Sequence, residues 1–383
     1  MSKRGNGEGS IYQRKSNGRW EGSISLEDGT RKTIYGKTRG EVQEKMKKLL
    51  SEQQQGMLPV NSKATLKEYI EKWLEEVHRP VVKLSTYNLY KTIIRIYIAP
   101  GLGQIKLQSL TPQHVQSFYS KKLREGLSPK SINNIHGVLH KALANAVRWN
   151  LLARNVCDLV TPPRLVRSEK TVLTLDQARL LLAEVKEHNL EAFLTLALVT
   201  GMRVGEIMAL RWADVDLQQC SLQIRRTVNY IKGHGYVESD PKTTKSRRRI
   251  SLPRFVVDVL LKHQGRQAEQ RAGNEGWIEK GLVFTNSTGG HMARTTLRET
   301  FNRILKRAGL PHVRFHDLRH SAATILLSWG VHPKVVQEIL GHSQISMTLD
   351  TYSHVLPSMQ REVTEKWDNW DDGAGAGVGV PAK

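Results

Sequence analysis

The sequence predicts a multidomain chain that is mainly α-helical with small β-sheets: a β-rich N-terminal module, an all-α domain and a mixed α+β domain. Near the N-terminus, short strand-forming stretches are separated by Asn17-Gly18 and Asp28-Gly29, which are strong hairpin signals. Apolar residues then recur at helical spacing over residues 65–155. Helical and strand patterns alternate in the second half. The length of 383 residues is enough for two or three domains.

The chain is strongly basic, with 58 Lys and Arg residues against 36 Asp and Glu residues and a net charge of +22. A surplus of this size favours an anionic polymer as partner, nucleic acid first, over a merely soluble basic protein. The two cysteines, Cys157 and Cys220, are too few for a disulfide framework or a cysteine metal site. The polar N-terminus is no signal peptide, and no apolar run reaches the roughly 18 residues of a membrane helix. We therefore expect a reducing, cytoplasmic location.

Residues 1–58 are predicted to form a separate module. Its strands are expected at residues 10–15, 19–25 and 31–35. Thr38 and Glu41 have the spacing of a capping box, which predicts a helix to about residue 55. A β-sheet can enter a DNA major groove. Five residues would give this sheet a basic face for DNA, namely Arg14, Lys15, Arg19, Arg31 and Lys32. The alternative is a solvated face of ordinary charge.

Residues 64–160 are predicted to form an all-helical domain. Its helices are expected at residues 65–77, 85–98, 112–125 and 129–150. Thr111-Pro112 and Ser128-Pro129 each combine an N-cap residue with proline at the first helical position. Six residues are candidates for phosphate contacts, namely Lys121, Lys122, Arg124, Lys130, Lys141 and Arg148. Each could equally be a solvated surface charge. Residues 161–170 have the composition of a linker.

Residues 171–370 are predicted to form the mixed domain, followed by a disordered Gly/Ala/Val-rich tail at residues 371–383. Thr174 and Gln177 form a second capping box. A buried helix at residues 190–199 is ended by Thr200-Gly201 just before Arg203. One small sheet is expected from strands at residues 221–230, 235–238 and 242–252. Helices are expected at residues 255–272 and 295–308.

The segment ending at Tyr352 places polar residues in an otherwise apolar, helical context. His316 and Arg319 are three residues apart and so share one face of a helix. Gly341 is placed to stop a later helix and to leave His342 at its end. Folding could bring one arginine, two histidines and one tyrosine together. This set suits attack on a phosphodiester, because it combines a planar cation, proton-handling imidazoles and a phenol nucleophile.

These motifs resemble those of the tyrosine recombinases of the lambda-integrase type. HDLRH from His316, then LGH, then Tyr352 ten residues after His342 resemble the C-terminal signature of that family. TGMRVGE from Thr200 resembles its upstream arginine motif. Pro241-Lys242-Thr243, followed by RRRISLP, resembles its lysine hairpin. Every catalytic position of the family pattern is filled in the same order, and the resemblance covers about half of the chain closely.

The resemblance implies an arm-binding-like N-terminal module, a helical core-binding domain and a tyrosine-recombinase catalytic domain. It implies a site-specific recombinase that integrates or excises a phage or other mobile element through a 3′-phosphotyrosyl intermediate and a Holliday junction. Neither a cofactor nor a metal nor ATP is expected. The implied partners are double-stranded DNA attachment sites of core and arm type, a homotetramer on DNA and accessory bending or excision factors, with no membrane. The implied setting is the nucleoid of a bacterial or phage-infected cell.

The resemblance also assigns roles to residues of this chain. Arg203 and Arg319 would bind the non-bridging phosphate oxygens, since guanidinium binds them bidentately and stays charged. Tyr352 would be the nucleophile, with His316 holding or accepting its proton. Lys242 would protonate the leaving 5′ oxygen, with Lys245 as the rival. His342 would donate a hydrogen bond to the phosphate. In supporting roles, Glu206 would buttress Arg203, and His320 would pack.

Three alternatives compete with this interpretation. A catalytically inert DNA-binding regulator would be expected to lose one of the six catalytic residue types, and none is lost. A type IB topoisomerase shares similar chemistry, but the N-terminal module favours an integrase. HDLRH also resembles the HExxH zinc motif. There, however, Asp317 replaces the glutamate, and Arg319 would place a positive charge beside the metal.

Overall fold

The structure, a computed structural model, describes most of the chain. The described residues are 10–15, 17–25, 31–54, 64–165, 171–240, 247–341 and 364. The chain divides into two units, Met1–Arg167 and Ser168–Lys383. Both are mainly helical with small antiparallel sheets, which confirms the predicted fold class. No helix in the described part of the chain is long and apolar enough to cross a membrane.

The first unit begins with a three-stranded antiparallel sheet and one helix. The strands are β1 Ser10–Gln13, β2 Trp20–Ser25 and β3 Arg31–Gly36, and helix α1 spans Arg39–Gln54. Ile24, Val42 and Met46 are buried between sheet and helix. A side chain at Gly22 would clash, because a Cβ atom there would lie 2.6 Å from Met46 Sδ. The helix therefore packs directly on the backbone of β2.

Only half of the predicted capping box of α1 forms. The Thr38 hydroxyl accepts the N–H of Glu41 at 3.2 Å, as predicted. The Glu41 carboxylate instead accepts the N–H of Lys37 at 2.8 Å. The glutamate thus satisfies the backbone N–H of Lys37, one residue before the N–H of Thr38 that the motif implies.

The five basic residues predicted for one face of the sheet do not share it. Arg31 and Lys32 are neighbours on β3, and successive side chains of a strand point to opposite faces. Lys32 lies opposite Ile24, which is buried against α1, so Lys32 belongs to the helix side. Arg31 and Arg14 belong to the open side, where Arg14 contacts Tyr35. The prediction of a single basic face was therefore wrong for Lys32.

The rest of the first unit is helical. The helices are α2 Leu66–Trp73, α3 Leu84–Ile93, α4 Ala99–Leu102, α5 Pro112–Arg124 and α6 Pro129–Arg148. Short 3-10 turns lie at Arg79–Val81, Leu107–Ser109 and Val156–Leu159. The hydroxyls of Thr111 and Ser128 accept N–H groups in the first turns of α5 and α6, as their sequence contexts predict.

Two π turns, Leu74–His78 and Ile94–Ile98, continue α2 and α3. The first brings the ring centroids of Trp73 and His78 to 4.9 Å, and the Tyr90 ring also stacks on His78, at 4.5 Å. Five residues exceed one α-helical turn of about 3.6 residues, so a regular helix would turn these two rings apart. The helical period of the sequence predicted both helices but not this local widening.

The second unit surrounds a buried helix. Its helices are α7 Leu175–Glu184, α8 Glu191–Thr200, α9 Val204–Ile207, α10 Arg254–Ala272, α11 Arg294–Arg307, α12 Phe315–Ser328 and α13 Pro333–Leu340, with a 3-10 turn at Trp212–Asp214. In α8, nine of the ten residues are buried. Phe315, the first residue of α12, packs on Phe193 of α8 at 5.2 Å between ring centroids. This contact fixes the start of α12 against the core, one residue before His316.

The predicted single strand at residues 221–230 and the single sheet were wrong. The strands are β4 Val215–Asp216, β5 Ser221–Ile224, β6 Thr227–Ile231, β7 Gly235–Ser239 and β8 Arg248–Ser251. They form two sheets, ordered β4-β5-β8 and β6-β7. Arg225 and Arg226 both reach the buried carboxylate of Asp214, at 3.5 and 2.9 Å. Adjacent residues of one strand point to opposite faces, so this shared partner breaks the strand.

Several predicted segments lie outside the described residues. They are residues 166–170 of the linker predicted at 161–170, the start of the predicted strand at 242–252, and the tail at 371–383.

Candidate active site

The turn between α8 and α9 positions Arg203. Helix α8 ends at Gly201, which adopts a left-handed conformation with φ 60°. A Cβ atom on Gly201 would lie 2.3 Å from Leu340 Cδ2, so the turn packs directly against the end of α13. Glycine is required here both by backbone conformation and by space. Arg203 follows as the N-cap residue of α9.

Glu206 holds Arg203 in place, as the sequence analysis expected of it. Arg203 Nη1 donates to Glu206 Oε1 at 2.7 Å, and the Arg203 backbone N–H donates to Glu206 Oε2 at 3.0 Å. The Glu206 side chain is 2% exposed, whereas that of Arg203 is 37% exposed. One edge of the guanidinium is therefore held by the buried carboxylate, and part of the group remains accessible to a ligand.

Arg319 reaches the same turn from α12. Its side chain is buried, and its Nη1 donates to the carbonyl of Gly201 at 2.9 Å. Arg203 Nη2 lies 3.4 Å from the carbonyl of Gly341, the residue that ends α13 in a left-handed conformation with φ 67°. Arg319 thus contacts the turn that carries Arg203, although the two arginines are far apart in sequence. Such a pair of guanidinium groups can bind the oxygens of a single phosphate.

His316 and His320 lie on the same helix as Arg319 but in different surroundings. His316 is exposed, and His320 is 6% exposed. Their rings are 5.3 Å apart and nearly perpendicular. His316 is therefore accessible to substrate, whereas His320 is part of the packing.

Asp317 has a structural partner that accounts for its place in HDLRH. Its carboxylate accepts two hydrogen bonds from the Arg314 guanidinium, at 2.9 and 3.1 Å, and one from the Arg314 backbone N–H at 3.0 Å. Burial raises the pKa of Asp317, but these hydrogen bonds together with the nearby charges of Arg314 and His320 lower it below its ordinary value. Across the residues that the structure describes, no group of three or more His, Cys, Asp or Glu side chains could hold a metal ion.

Arg248 is a residue of the site that the sequence analysis missed. Its Nη2 donates to Glu206 Oε2 at 3.2 Å, and its Nε donates to the carbonyl of Ile339 at 2.6 Å. In the sequence, RRRISLP was evident only as part of the motif that resembles the lysine hairpin of the family. The two-residue period of a strand could have found it, because Arg248 shares a face with the buried Ile250 and so must point inward.

The charge balance around Glu206 follows from these contacts. Burial raises the pKa of Glu206, but the charges of Arg248 and Arg203 and the hydrogen bonds from Arg203 lower it further than burial raises it. The carboxylate is therefore ionised at neutral pH and balances two guanidinium groups.

The remaining predicted site residues lie outside the described residues or at the surface. Lys242, its rival Lys245, His342 and Tyr352 are not among the described residues. The basic residues predicted to contact DNA in the first unit are all at least partly exposed. Some already have partners: Arg14 pairs with Glu21 at 2.7 Å, and Lys122 pairs with Glu125 at 2.7 Å.

Comparison with known proteins agrees with this site. Residues 171–359 match the Phage integrase family, and residues 65–123 match the phage integrase N-terminal SAM-like domain. A "Tyrosine recombinase XerC-like" protein of Caldanaerobacter subterraneus subsp. tengcongensis is 32% identical over 354 residues, covering 88% of this chain and 90% of the relative. The ICEBs1 integrase of Bacillus subtilis is 28% identical over 295 residues, covering 75% and 78%.

Solved structures share the fold. The Tn1549 transposon integrase in complex with transposon right end DNA has a TM-score of 0.67 and 25% identity, over 78% of this chain and 99% of that chain. A lambda integrase dimer bound to a COC′ core site has a TM-score of 0.57 and 18% identity, over 92% and 96%. The family match, the identity over nearly the full length of a tyrosine recombinase and the common fold agree with the motifs. The chain therefore belongs to the phage integrase family of tyrosine recombinases, enzymes of site-specific DNA recombination.

Proposed function

We propose that this recombinase is the integrase of a phage or other mobile element and acts on double-stranded DNA attachment sites. The observation that carries the proposal is the contact of Arg319 with the Gly201 turn that presents Arg203, which Glu206 holds in place. Relatives named as integrases of mobile elements support the biological role. Residues 1–58 would bind arm sites, residues 64–160 core sites, and residues 171–370 would carry out catalysis.

The proposed chemistry assigns one step to each side chain. The Tyr352 phenol oxygen attacks the scissile phosphorus, its proton passes to His316, and a 3′-phosphotyrosyl bond forms as the bond to the 5′ oxygen breaks. Lys242 gives a proton to the leaving 5′ oxygen. Arg203 and Arg319 neutralise the charge that builds up on the non-bridging oxygens, and His342 donates a hydrogen bond to them. A phenol with a pKa near 10 needs this cationic setting to react at neutral pH.

Strand joining reverses the same step on another duplex. The 5′ hydroxyl of the partner attacks the phosphotyrosyl bond and releases Tyr352. Each exchange replaces one phosphodiester by another, so neither ATP nor a metal is needed. Two rounds of exchange pass through a Holliday junction in a homotetramer, assisted by accessory bending or excision factors. Sedimentation of the protein with attachment-site DNA measures its stoichiometry.

The first prediction tests this chemistry directly. On a nicked attachment-site substrate, the protein should form a detergent-resistant adduct linked to a 3′ phosphate in the presence of EDTA and without ATP. Arg203→Lys keeps a charge for Glu206 but loses the planar fork. It should slow adduct formation by about 10²–10³-fold, the usual cost of losing one stabilising group in a transition state. Cleavage that requires Mg²⁺, or that leaves no protein on the DNA, would contradict the proposal.

The second prediction concerns the N-terminal module. A chain beginning at Lys63 should still cleave core sites but should lose binding to separate arm sites, because the open face of the sheet with Arg14 and Arg31 is removed. Arm binding by the full chain should weaken steeply with salt, since phosphate contacts release counterions. Footprinting measures both. An identical footprint for the full and shortened chains would show that the module does not bind arm DNA.

A further inference from the structure

Arg248 is a buried charge on a strand face that it shares with an apolar residue. It lies on β8, two residues before the buried Ile250 on the same face, and its side chain is 7% exposed. Removing a guanidinium from water is costly, and replacing buried ion pairs by well-packed apolar residues is often neutral or stabilising. Stability alone therefore does not account for an arginine at this position.

The contacts of Arg248 join three segments around the site. Through Nη2 it reaches Glu206 Oε2, while Glu206 Oε1 receives Arg203 Nη1, so the carboxylate is fixed at both oxygens. Through Nε it reaches the carbonyl of Ile339 in the last turn of α13. Its Nη1 would lie 2.8 Å from a Cβ atom on Gly341, so the guanidinium fills the space directly beneath that turn. Gly341 precedes His342 in the chain.

We propose that Arg248 is a positioning residue for DNA strand cleavage, an inference that rests on the proposed function. It sets the orientation of Arg203 through Glu206, and it sets the Gly341 turn that leads into the proposed catalytic His342. One buried side chain thereby links the Arg203 side of the proposed phosphate-binding site to the Gly341 turn. In this proposal Arg248 does not contact DNA but acts through the protein groups to which its Nε and Nη2 donate, the Ile339 carbonyl and the Glu206 carboxylate.

Loss of Arg248 has a specific chemical consequence. Glu206 stays buried, which raises its pKa, but it loses the charge of Arg248, which lowers that pKa more than any other single interaction does. The carboxylate then holds Arg203 less firmly, and the guanidinium spends less time in the orientation that meets the phosphate. Small errors in such an orientation cost about 10²-fold in rate. Binding of DNA elsewhere on the protein should remain.

The test, and the third prediction, compares two substrates and two neighbouring arginines. Single-turnover cleavage is measured at saturating protein on DNA with an ordinary scissile phosphate and on DNA with a methylphosphonate there. Because the methylphosphonate is neutral, its cleavage depends less on a guanidinium group held in the correct orientation. The variants are Arg248→Gln and Arg248→Lys. The matched control is Arg249→Gln, since Arg249 is the next residue of β8 and its guanidinium contacts Ser221 instead, at 3.0 and 2.8 Å.

We expect Arg248→Gln to slow cleavage of the phosphate about 10²-fold, with little change in DNA affinity, and to slow cleavage of the methylphosphonate less than about 10-fold. Arg248→Lys should recover part of the rate, because it keeps a charge beside Glu206 but cannot also reach Ile339. Arg249→Gln should cleave as the parent does. A merely structural role would slow both substrates equally, and that result would overturn the proposal.

Two further outcomes separate this inference from the proposed function. If Arg203→Lys is slow but folded Arg248→Gln cleaves the phosphate at the parental rate, only the role of Arg248 is refuted. If Arg203→Lys itself cleaves normally, the proposed catalytic set fails first. If Arg248→Gln does not fold, the comparison of Arg248→Lys with the parent on the two substrates decides. A rate loss of the lysine variant that is equal on both substrates also overturns the inference.

Discussion

Tyr352→Phe should bind attachment-site DNA and assemble on it, and it should form no covalent adduct. The substitution removes only the phenol oxygen, so the aromatic ring is kept while the proposed nucleophile is lost. No other group in the proposed mechanism can form the 3′-phosphotyrosyl bond. We therefore expect a complete loss of adduct rather than a reduced rate.

The measurement is the detergent-resistant complex on a nicked substrate, with gel mobility and sedimentation reporting binding and assembly. Tyr230→Phe is a suitable control, because Tyr230 is an exposed tyrosine of the same unit, 59% exposed on β6. It should form the adduct as the parent does. An adduct formed by Tyr352→Phe would refute the assignment, and mass spectrometry of the attached peptide would then identify the true nucleophile.

Much of the fold follows from local signals in the sequence. Caps at Thr111, Ser128 and Thr174 mark helix starts because a side-chain oxygen satisfies an N–H group that the helix cannot. Left-handed glycines, Gly201 and Gly341, mark helix ends because they adopt this conformation without strain. These effects involve only a few consecutive residues, so the sequence displays them directly.

What the sequence did not predict depends on partners distant in the chain. The break between β5 and β6 is caused by Asp214, which draws Arg225 and Arg226 to one side. Hydrophobic periodicity contains no information on that carboxylate. In the same way, Arg248 belongs to the site because Glu206 and Ile339 lie beside it, from segments about 40 and 90 residues away. The motif around Arg203 identified its pair with Glu206, since both residues lie in one turn. It did not identify Arg248, the second arginine that contacts Glu206.

The burial of Arg319 also became evident only from the structure. Motif order placed Arg203 and Arg319 in equivalent roles, yet Arg203 is partly exposed and Arg319 is enclosed at 2% exposure. The difference arises because Arg319 holds the carbonyl of Gly201 and so supports the turn that presents Arg203. Arg319 therefore has a structural contact in addition to its proposed contact with phosphate.

Lys242→Ala should cleave ordinary DNA very slowly and should recover on a substrate whose bridging 5′ oxygen is replaced by sulfur. An alkoxide is a poor leaving group at neutral pH, and a positioned general acid is typically worth about 10²–10⁴-fold. A thiolate leaves without a proton, because a thiol pKa is near 8.5. If Lys242 only supplies that proton, sulfur makes it dispensable. Arg203→Lys should stay slow on the sulfur substrate, because the charge on the non-bridging oxygens is unchanged.

Lys245→Ala is the matched control, since Lys245 is the rival lysine three residues along the chain. It should cleave both substrates at close to the parental rate. Rescue by sulfur of Lys245→Ala instead of Lys242→Ala would transfer the role to Lys245. Rescue of neither variant would place the acid elsewhere, and exposed His316 would be the next residue to test. Single-turnover rates on the two substrates distinguish these outcomes, because only the variant that lacks the general acid gains from a leaving group that needs no proton.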